Sequence, residues 1–275
     1  MKLRSLLLAT SCSFAGVADA ESFSLPIWKE EAEALGYELP KAFGLNLSYM
    51  TLEQGINVDS IALQGLDPLD LKMEAEPGKQ VTDVITLRAD VWLFPFLNIY
   101  GLVGKLEGYS ETAVDYNVGI KIGDRVRPLF GGRIDSFRLD LDGDIKGAGF
   151  VLAGGYEQWF ALVDASYTQT KLTVVEGAID AVVVSPRVGY DFHTHGVPIR
   201  FWVGAMYQNV EQELSGSIRD LGIPLDGSFE VKQSLVSEWN MLAGMQYEIN
   251  KNWYLLGEMG FGERESLFFS IDRRF

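Results

Sequence analysis

The 275-residue chain contains very little cysteine or histidine and has no long apolar run. Its single cysteine, Cys12, lies within the first twenty residues, and its two histidines are His193 and His195. After residue 20 there is therefore no thiol for a disulfide framework or for redox chemistry. The apolar runs after residue 20 are well short of the roughly 20 residues that a membrane-spanning helix needs, which excludes such helices there.

Basic residues are also scarce, since 23 Lys and Arg stand against 38 Asp and Glu and give a net charge of −15. Nucleic-acid partners call for clustered basic residues, so the composition argues against nucleic-acid binding. Yet 47% of the residues are hydrophobic and 12% are aromatic, which excludes a disordered chain. The chain is thus too apolar for an ordinary soluble protein and too interrupted for membrane helices.

The first twenty residues have the three parts of a secretory signal peptide. Lys2 and Arg4 form a basic start, residues 5–17 are mostly apolar, and Ala18-Asp19-Ala20 is a small-x-small cleavage site. We therefore expect residues 1–20 to be a cleaved Sec-type signal peptide that directs export from the cytoplasm.

A short helical segment and then a long region of period-two sequence follow the signal peptide. Within 21–41, residues 26–35 place their apolar side chains on one side and predict a helix. From 42 to 275 apolar and polar residues alternate, and short connections alternate with longer ones, which is typical of a membrane barrel. This pattern predicts an all-β, transmembrane antiparallel β-barrel of about ten strands, or twelve if residues 113–140 form another membrane-deep hairpin.

Aromatic residues mark both ends of the apolar face on several predicted strands. They occur in pairs eight residues apart: Trp159 and Tyr167, Trp239 and Tyr247, Trp253 and Phe261. On a tilted strand that spacing covers roughly 20 Å, which matches a lipid-facing band with an aromatic belt at each edge. A soluble β-sandwich or a lipocalin-like barrel would share the alternation but has less reason to carry the aromatic belt.

The opposite face carries charged residues in the middle of strands, and we expect them to form a network in the barrel lumen. They are Arg88, Asp90, Lys105, Glu107, Asp164, Arg187, Arg200 and Glu258. An ion-selective pore would present one sign of charge at its constriction, whereas these charges nearly cancel. The lumen of a ten-stranded barrel is also narrow, so we expect side chains to fill most of it.

The last ten residues, SLFFSIDRRF, end in Phe275 and place Ile271 and Phe269 on the same face. This segment closely resembles the C-terminal assembly signal of Gram-negative outer-membrane β-barrel proteins. The stretches 90–101, 203–208 and 258–267 also resemble an uncharacterised group among those proteins. The resemblance implies an outer-membrane location, recognition of Phe275 by the barrel-assembly machinery, and contact with outer-membrane lipids and lipopolysaccharide. It implies no chemistry.

The sequence offers no recognisable catalytic, cofactor or metal site. His193 and His195 fall in one short turn, at the opposite end of the predicted barrel from the rim where outer-membrane enzymes place their catalytic histidine. A His-x-His pair supplies only two metal ligands, and Asp140, Asp142 and Asp144 do not follow the calcium-loop pattern. We therefore predict a protein that is not an enzyme and has neither cofactor nor metal.

Three functions stay open at this point. The first is a structural or surface-interaction protein that acts through its extracellular loops, with a surface partner that the sequence does not identify. The second is a porin-like channel for small solutes, gated by the helix at 26–35. The third, more distant, is an outer-membrane enzyme that modifies lipids or peptides.

Overall fold

The computed structural model describes residues 25–123, 125–173, 176–221 and 226–275, and within them it shows one short α-helix and twelve strands. The helix α1 spans Lys29–Ala34, inside the predicted helical segment. The strands are β1 (Phe43–Gln64), β2 (Leu69–Ala75), β3 (Gly78–Phe94), β4 (Leu97–Ile122), β5 (Arg125–Tyr156), β6 (Trp159–Leu172), β7 (Glu176–Asp191), β8 (Ile199–Ser217), β9 (Ser228–Leu235), β10 (Trp239–Asn250), β11 (Trp253–Phe261) and β12 (Arg264–Arg274). The predicted signal peptide, 1–20, lies outside the described residues.

Ten of these strands close an antiparallel ring. Each strand pairs with its neighbour in the order β1, β3, β4, β5, β6, β7, β8, β10, β11 and β12. β12 returns to β1, where Gly44 is opposite Arg274, and β8 pairs directly with β10, where Trp239 is opposite Tyr207. The all-β fold and the strand number of about ten are therefore confirmed. Full closure leaves no unpaired edge in this ring, which membrane barrels require.

The two remaining strands lie beyond the ring and not in a separate hairpin at 113–140. Those residues prolong β4 and β5, which stay paired as far as Ile122 and Arg125. β9 pairs with the end of β8 and with residues 56–64 of β1, so it fills the space between them where β10–β12 are absent. β2 pairs with the outer part of β4.

The barrel thus has two different ends. At the short-turn end, tight connections join β3 to β4, β5 to β6 and β10 to β11, and a longer turn with a short 3₁₀ helix joins β7 to β8. At the extended end, β1, β4, β5 and β8 continue past the other strands, with β2 and β9 beside them. Most of the predicted long loops therefore form paired strands, because the alternation of the sequence continues through them.

The outer wall of the ring is apolar. Large apolar side chains point outward and are exposed, for example Leu47, Leu87, Val203 and Phe269. A continuous apolar exterior on a closed barrel is stable against lipid and not against water, so the ring spans a membrane. Within the described ranges, no helix is both long and apolar enough to cross a bilayer.

Along a single strand, the polarity of the two faces reverses beyond the apolar band: the outward face becomes polar and the inward face becomes apolar. On β4, Ile99 and Val103 point outward with Tyr100 inside, whereas farther along Lys105 points outward and Leu106 is buried inside. Within the band the exterior contacts lipid and the interior is polar. Past the band the exterior contacts water, so the interior can become an ordinary apolar core.

Candidate functional site

Near the short-turn end, a compact ion-pair network lies inside the barrel. Arg274 Nη1 lies 2.6 Å from Asp90 Oδ1, and Arg274 Nε lies 2.8 Å from Asp272 Oδ1. The Asn98 amide also donates to Asp90 over 2.6 Å. Gly44 lies between β12 and β3, and a Cβ there would come within 2.6 Å of both Arg274 and Asp90. A glycine at this position therefore leaves the room that the ion pair occupies.

The same network continues to β4 and β6. Arg88 approaches Asp90 and Asp164 at 3.7 and 3.9 Å, and its guanidinium carbon lies 4.3 Å from the ring centroid of Tyr100. The Tyr100 hydroxyl donates to Asp164 over 2.6 Å. Every charge here faces an opposite charge or a hydrogen-bond donor, as burial in a narrow lumen demands.

A second ion pair crosses the lumen between strands that are not neighbours. Arg187 on β7 donates from Nε and Nη2 to Glu258 on β11, over 2.8 and 3.0 Å. Trp202 Nε1 on β8 donates to the same carboxylate over 2.7 Å. The side chains of Arg187 and Glu258 are only 16% and 9% exposed, so this two-bond pair links β7 to β11, three positions along the ring, in a nearly dry setting.

The third predicted arginine, Arg200, lies in a separate cluster at the turn between β7 and β8. Its Nε donates to Asp191 over 2.7 Å, and its Nη1 donates to Gln246 over 3.0 Å. His193 lies between Asp191 and Glu248, with its Nε2 3.1 Å from the latter carboxylate. The two predicted turn histidines are thus engaged with local partners, since His195 contacts the Tyr190 hydroxyl.

Buried amide side chains form the next layer toward the extended end. They link Gln54 to Gln80, Gln80 to Gln212, and Gln212 to Gln233, at 2.9, 3.4 and 2.9 Å. The Gln80–Gln212 contact joins β3 to β8 across the barrel. Nearby, the buried Arg264 donates to Gln208 over 2.6 Å.

Beside and beyond the amide layer, an apolar core lies inside the extended end. Its members come from β4 to β9 and from the 3₁₀ turn at 218–221: Leu106, Leu139, Leu141, Ile145, Leu172, Ile179, Ala181, Val210, Leu214, Ile218, Phe229 and Val231. Leu214 and Ile218 are 0% exposed. A cavity between this core and β2 has a volume of about 20 Å³, which is room for about one water molecule.

Two of the eight charges expected in the lumen lie outside the barrel. Asp90 on β3 is directly opposite Tyr100 on β4, so the even-numbered residues of β4 share the luminal face and the odd-numbered residues point outward. Lys105 is 70% exposed and forms an ion pair on the outer wall with Asp144, and Glu107 points outward beside it. The luminal assignment of Lys105 and Glu107 is wrong because both lie past the apolar band, where the outer face contacts water.

The remaining predicted residues lie on the outer wall. Trp159, Tyr247 and Trp253 are near the short-turn end, and Tyr167, Trp239 and Phe261 are at the opposite edge of the apolar band. Ile271, Phe269 and Phe275 are outward and exposed, and the Phe275 N–H donates to the Phe43 carbonyl over 2.9 Å. Arg273 lies between two of these rings, 5.2 Å from Trp253 and 4.7 Å from Phe275.

The helical segment is attached to the rim of the short-turn end. The Ile27 N–H donates to the Leu93 carbonyl over 2.8 Å, and Trp28 packs on Phe94 with ring centroids 5.0 Å apart. Tyr37 reaches the Gly155 carbonyl at the next turn along the rim, over 3.4 Å.

One solvent-exposed ion pair links β5 to the β2–β3 connection at the extended end. Arg133 on β5 makes a two-bond contact of 2.8 and 2.9 Å with Glu76, which lies between β2 and β3. The hydrogen bonds from Arg133 and its positive charge hold the pKa of Glu76 below its usual range.

Sequence reasoning missed Tyr100, the four glutamines and Arg264. The short turn between β3 and β4 could have identified Tyr100 as luminal, because it places Tyr100 directly opposite Asp90 on the same face of the sheet. The contacts of the glutamines could not be predicted, because the sequence of a strand does not show whether an inward polar side chain has a partner on the other side of the barrel. Within the described part of the chain, no group of three or more His, Cys, Asp or Glu is placed to hold a metal ion.

No family model matches this sequence, and no curated protein matches it. Among solved structures, the chain is similar to the outer membrane protein OprG from Pseudomonas aeruginosa, with 8% identity, a TM-score of 0.40, and coverage of 86% of this chain and 98% of that one. It is also similar to the transport unit of the autotransporter AIDA-I from Escherichia coli (11% identity, TM-score 0.38, 85% and 90% coverage) and to the Pseudomonas putida toluene transporter TodX (12%, 0.30, 85% and 88%). Such values are too low to transfer a ligand or an activity.

Proposed function

We propose that the protein is an integral outer-membrane β-barrel of a Gram-negative bacterium, with a closed lumen, that acts as a structural or surface-interaction protein. The orientation follows from the short turns, which face the periplasm in such barrels, so the extended end faces the outside of the cell. The predicted signal peptide and the predicted assembly signal at Phe275 are the sequence features that support this location.

The main support for a closed lumen is the apolar core at the extended end. A solute path needs water or polar groups along its length, whereas Leu141, Leu214 and Ile218 are packed together with almost no exposure. The amide layer and the Arg187–Glu258 pair close the same axis nearer the membrane. Because a dry core also makes the extended end rigid, its outer surface is suited to hold a fixed shape for contact with a partner.

Planar-bilayer recording of the purified barrel tests this function. We expect no steady conductance above the background of the bilayer. Regular openings on the nanosiemens scale would contradict a closed lumen and favour the alternative of a small-solute channel.

The channel alternative assigns the gate to the helical segment, which the contacts of Ile27 and Trp28 hold at the rim. Deleting residues 21–40 would then raise the conductance. If the apolar core is the barrier, the deletion leaves the conductance unchanged, because the core lies at the other end of the barrel.

A lipid- or peptide-modifying enzyme receives the least support from the site. His193 and His195 contact Asp191, Glu248 and Tyr190 at the short-turn end, and not at the outer rim. We therefore propose that the barrel is not an enzyme. Hydrolysis of phospholipid or peptide substrates by the purified barrel, lost on His193→Ala, would overturn this.

A further inference from the structure

We propose that residues 125–141 of β5, named the β5 edge below, bind an extended peptide strand of a partner protein, and that acidic side chains of that strand contact Arg125 and Arg127. The proposal rests on the surface-interaction function given above. It names the site on the extended end and the chemistry of the partner.

Within the described residues, the β5 edge has a strand on one side only. β4 pairs with β5 as far as Arg125, whereas β6 pairs with β5 only between Gly143 and Tyr156. Alternate N–H and C=O groups along the β5 edge therefore point away from β4 with no strand to bind them. Such an edge binds another extended backbone through main-chain hydrogen bonds. Pro128 has no N–H, so a bound strand loses at most one hydrogen bond there.

The outer part of the β5 edge is open on both faces. Residues 125–133 are all exposed, and they include the apolar side chains of Val126, Leu129 and Phe130, the last of which is 62% exposed. This part lies beyond the apolar band, so these side chains contact water and not lipid. Exposed apolar side chains along an unpaired strand edge are typical of a surface that another chain covers.

The inward face of this part carries two positive charges. Arg125 and Arg127 are opposite Ile122 and Ile120 on β4, so these four side chains share one face. Among the described residues, neither arginine has an ion-pair or hydrogen-bond partner. The acidic side chains of β2 and β4 at this level point to the other face: Asp70, Glu74 and Asp115. The inward face therefore attracts acidic side chains of a partner.

The strand register determines the pattern that the partner needs. Side chains directly opposite each other on neighbouring strands share a face and lie about 5 Å apart. On the inward face of β5, Arg125 and Arg127 are followed by Phe130 and Ile134, after a register shift relative to β4. A matching antiparallel strand therefore has apolar residues at alternate positions and then acidic residues at the next two positions of the same face.

β2 is the other edge of the same three-stranded sheet, and it suits an acidic strand poorly. It pairs with β4 alone, so its far side has no strand partner within the described residues. However, Asp70 and Glu74 on β2 repel carboxylates, and Lys72 is the only basic residue of this strand. An acidic partner therefore selects the β5 edge over β2.

Hydrogen exchange of the purified barrel, read by mass spectrometry, tests the proposal. The probe is the synthetic peptide VTVTVTETE, which in extended form has valine and glutamate on one side and threonine on the other. We expect about half of the amides in 125–141 to exchange rapidly in the free barrel, because they lack a strand partner, and to be protected by millimolar peptide. No added protection of 125–141 would overturn the proposal.

N-methylation of the peptide separates strand addition from charge attraction alone. Alternate N–H groups of an extended peptide point to the same side, so methylating even positions removes one set of donors and methylating odd positions removes the other. We expect one set to abolish binding and the other to leave it unchanged. Equal effects of the two sets would contradict strand addition and show a general polyanion site.

Charge substitutions test the contact with the two arginines. Arg125→Gln/Arg127→Gln should weaken peptide binding on the order of tenfold, at about threefold per exposed ion pair. The matched control, Lys72→Gln/Lys79→Gln on β2 and β3, should leave it unchanged. Arg125→Glu/Arg127→Glu should bind VTVTVTKTK, which has lysines in place of the glutamates, better than the original peptide. Equal losses in the two Gln variants would show that only net charge matters and would overturn this assignment.

Conductance of the same preparations is a separate measurement. A conducting barrel that binds the peptide along the β5 edge would refute the closed lumen and leave the peptide site intact. A closed barrel that does not bind it would overturn the peptide site and leave the closed lumen intact.

Discussion

Removing the charge of Glu258 should destabilise the barrel far more than removing the charge of an exposed acid. Glu258 accepts two hydrogen bonds from Arg187 and one from Trp202, and its side chain is 9% exposed. Glu258→Gln keeps the shape but leaves the Arg187 guanidinium buried without a counter-charge. Breaking a buried pair in this way costs about 3–5 kcal/mol, and we expect the lower end because the amide still accepts one bond.

The matched control is Asp144→Asn, which breaks the Lys105–Asp144 pair on the outer wall. That pair is about 70% exposed on both sides, so its loss should cost less than about 1 kcal/mol. A double variant, Arg187→Met/Glu258→Gln, should recover most of the loss, because it leaves no unpaired buried charge.

Urea unfolding of the barrel in phosphatidylcholine vesicles measures these differences, followed by circular dichroism and by gel mobility without heating. Circular dichroism is preferred to tryptophan fluorescence because Trp202 itself contacts Glu258. With a slope of about 2 kcal/mol per molar urea, a loss of about 3 kcal/mol moves the midpoint by about 1.5 M. If Glu258→Gln shifts the midpoint no more than Asp144→Asn does, the assignment of this pair to a dry lumen is refuted.

Three further outcomes follow from other parts of the molecule. Gly44→Ala should cost about 1–3 kcal/mol in the same urea assay, because its Cβ would overlap Arg274 and Asp90, whereas Gly154→Ala, with open space around it, should be neutral. The Glu76–Arg133 contact should hold above the ordinary Glu pKa of about 4.3 and be lost as the pH falls through the lowered folded-state pKa. Proteolysis at 64–78 should therefore rise only below about pH 4.3 and not between pH 7 and pH 5, and Glu76→Gln should remove this pH dependence. Deleting Phe275 should lower the yield of inserted barrel in cells without changing the amount of exported chain, and an unchanged yield would count against its role as an assembly signal.

The apolar band and its aromatic edges were predictable because they depend on local pattern alone. Leu87 must face lipid if Arg88 faces the lumen, since successive side chains point to opposite faces. The charges Arg187 and Glu258 could be assigned to the interior by the same rule. Their contact could not, because β7 and β11 are 71 residues apart at this point and meet only when the ring closes.

Lys105 shows the limit of assigning residues to a face from the alternation along one strand. The sequence determined by itself that residues of β4 alternate between two faces, and that the chain is all-β and barrel-like. Which face of β4 is luminal depends on its register with β3, and which side is polar depends on whether the strand is inside the membrane or past it. Only the tertiary structure decided these, because the same strand contacts lipid and then water on its outside, and the polarity of its interior reverses with that change of solvent.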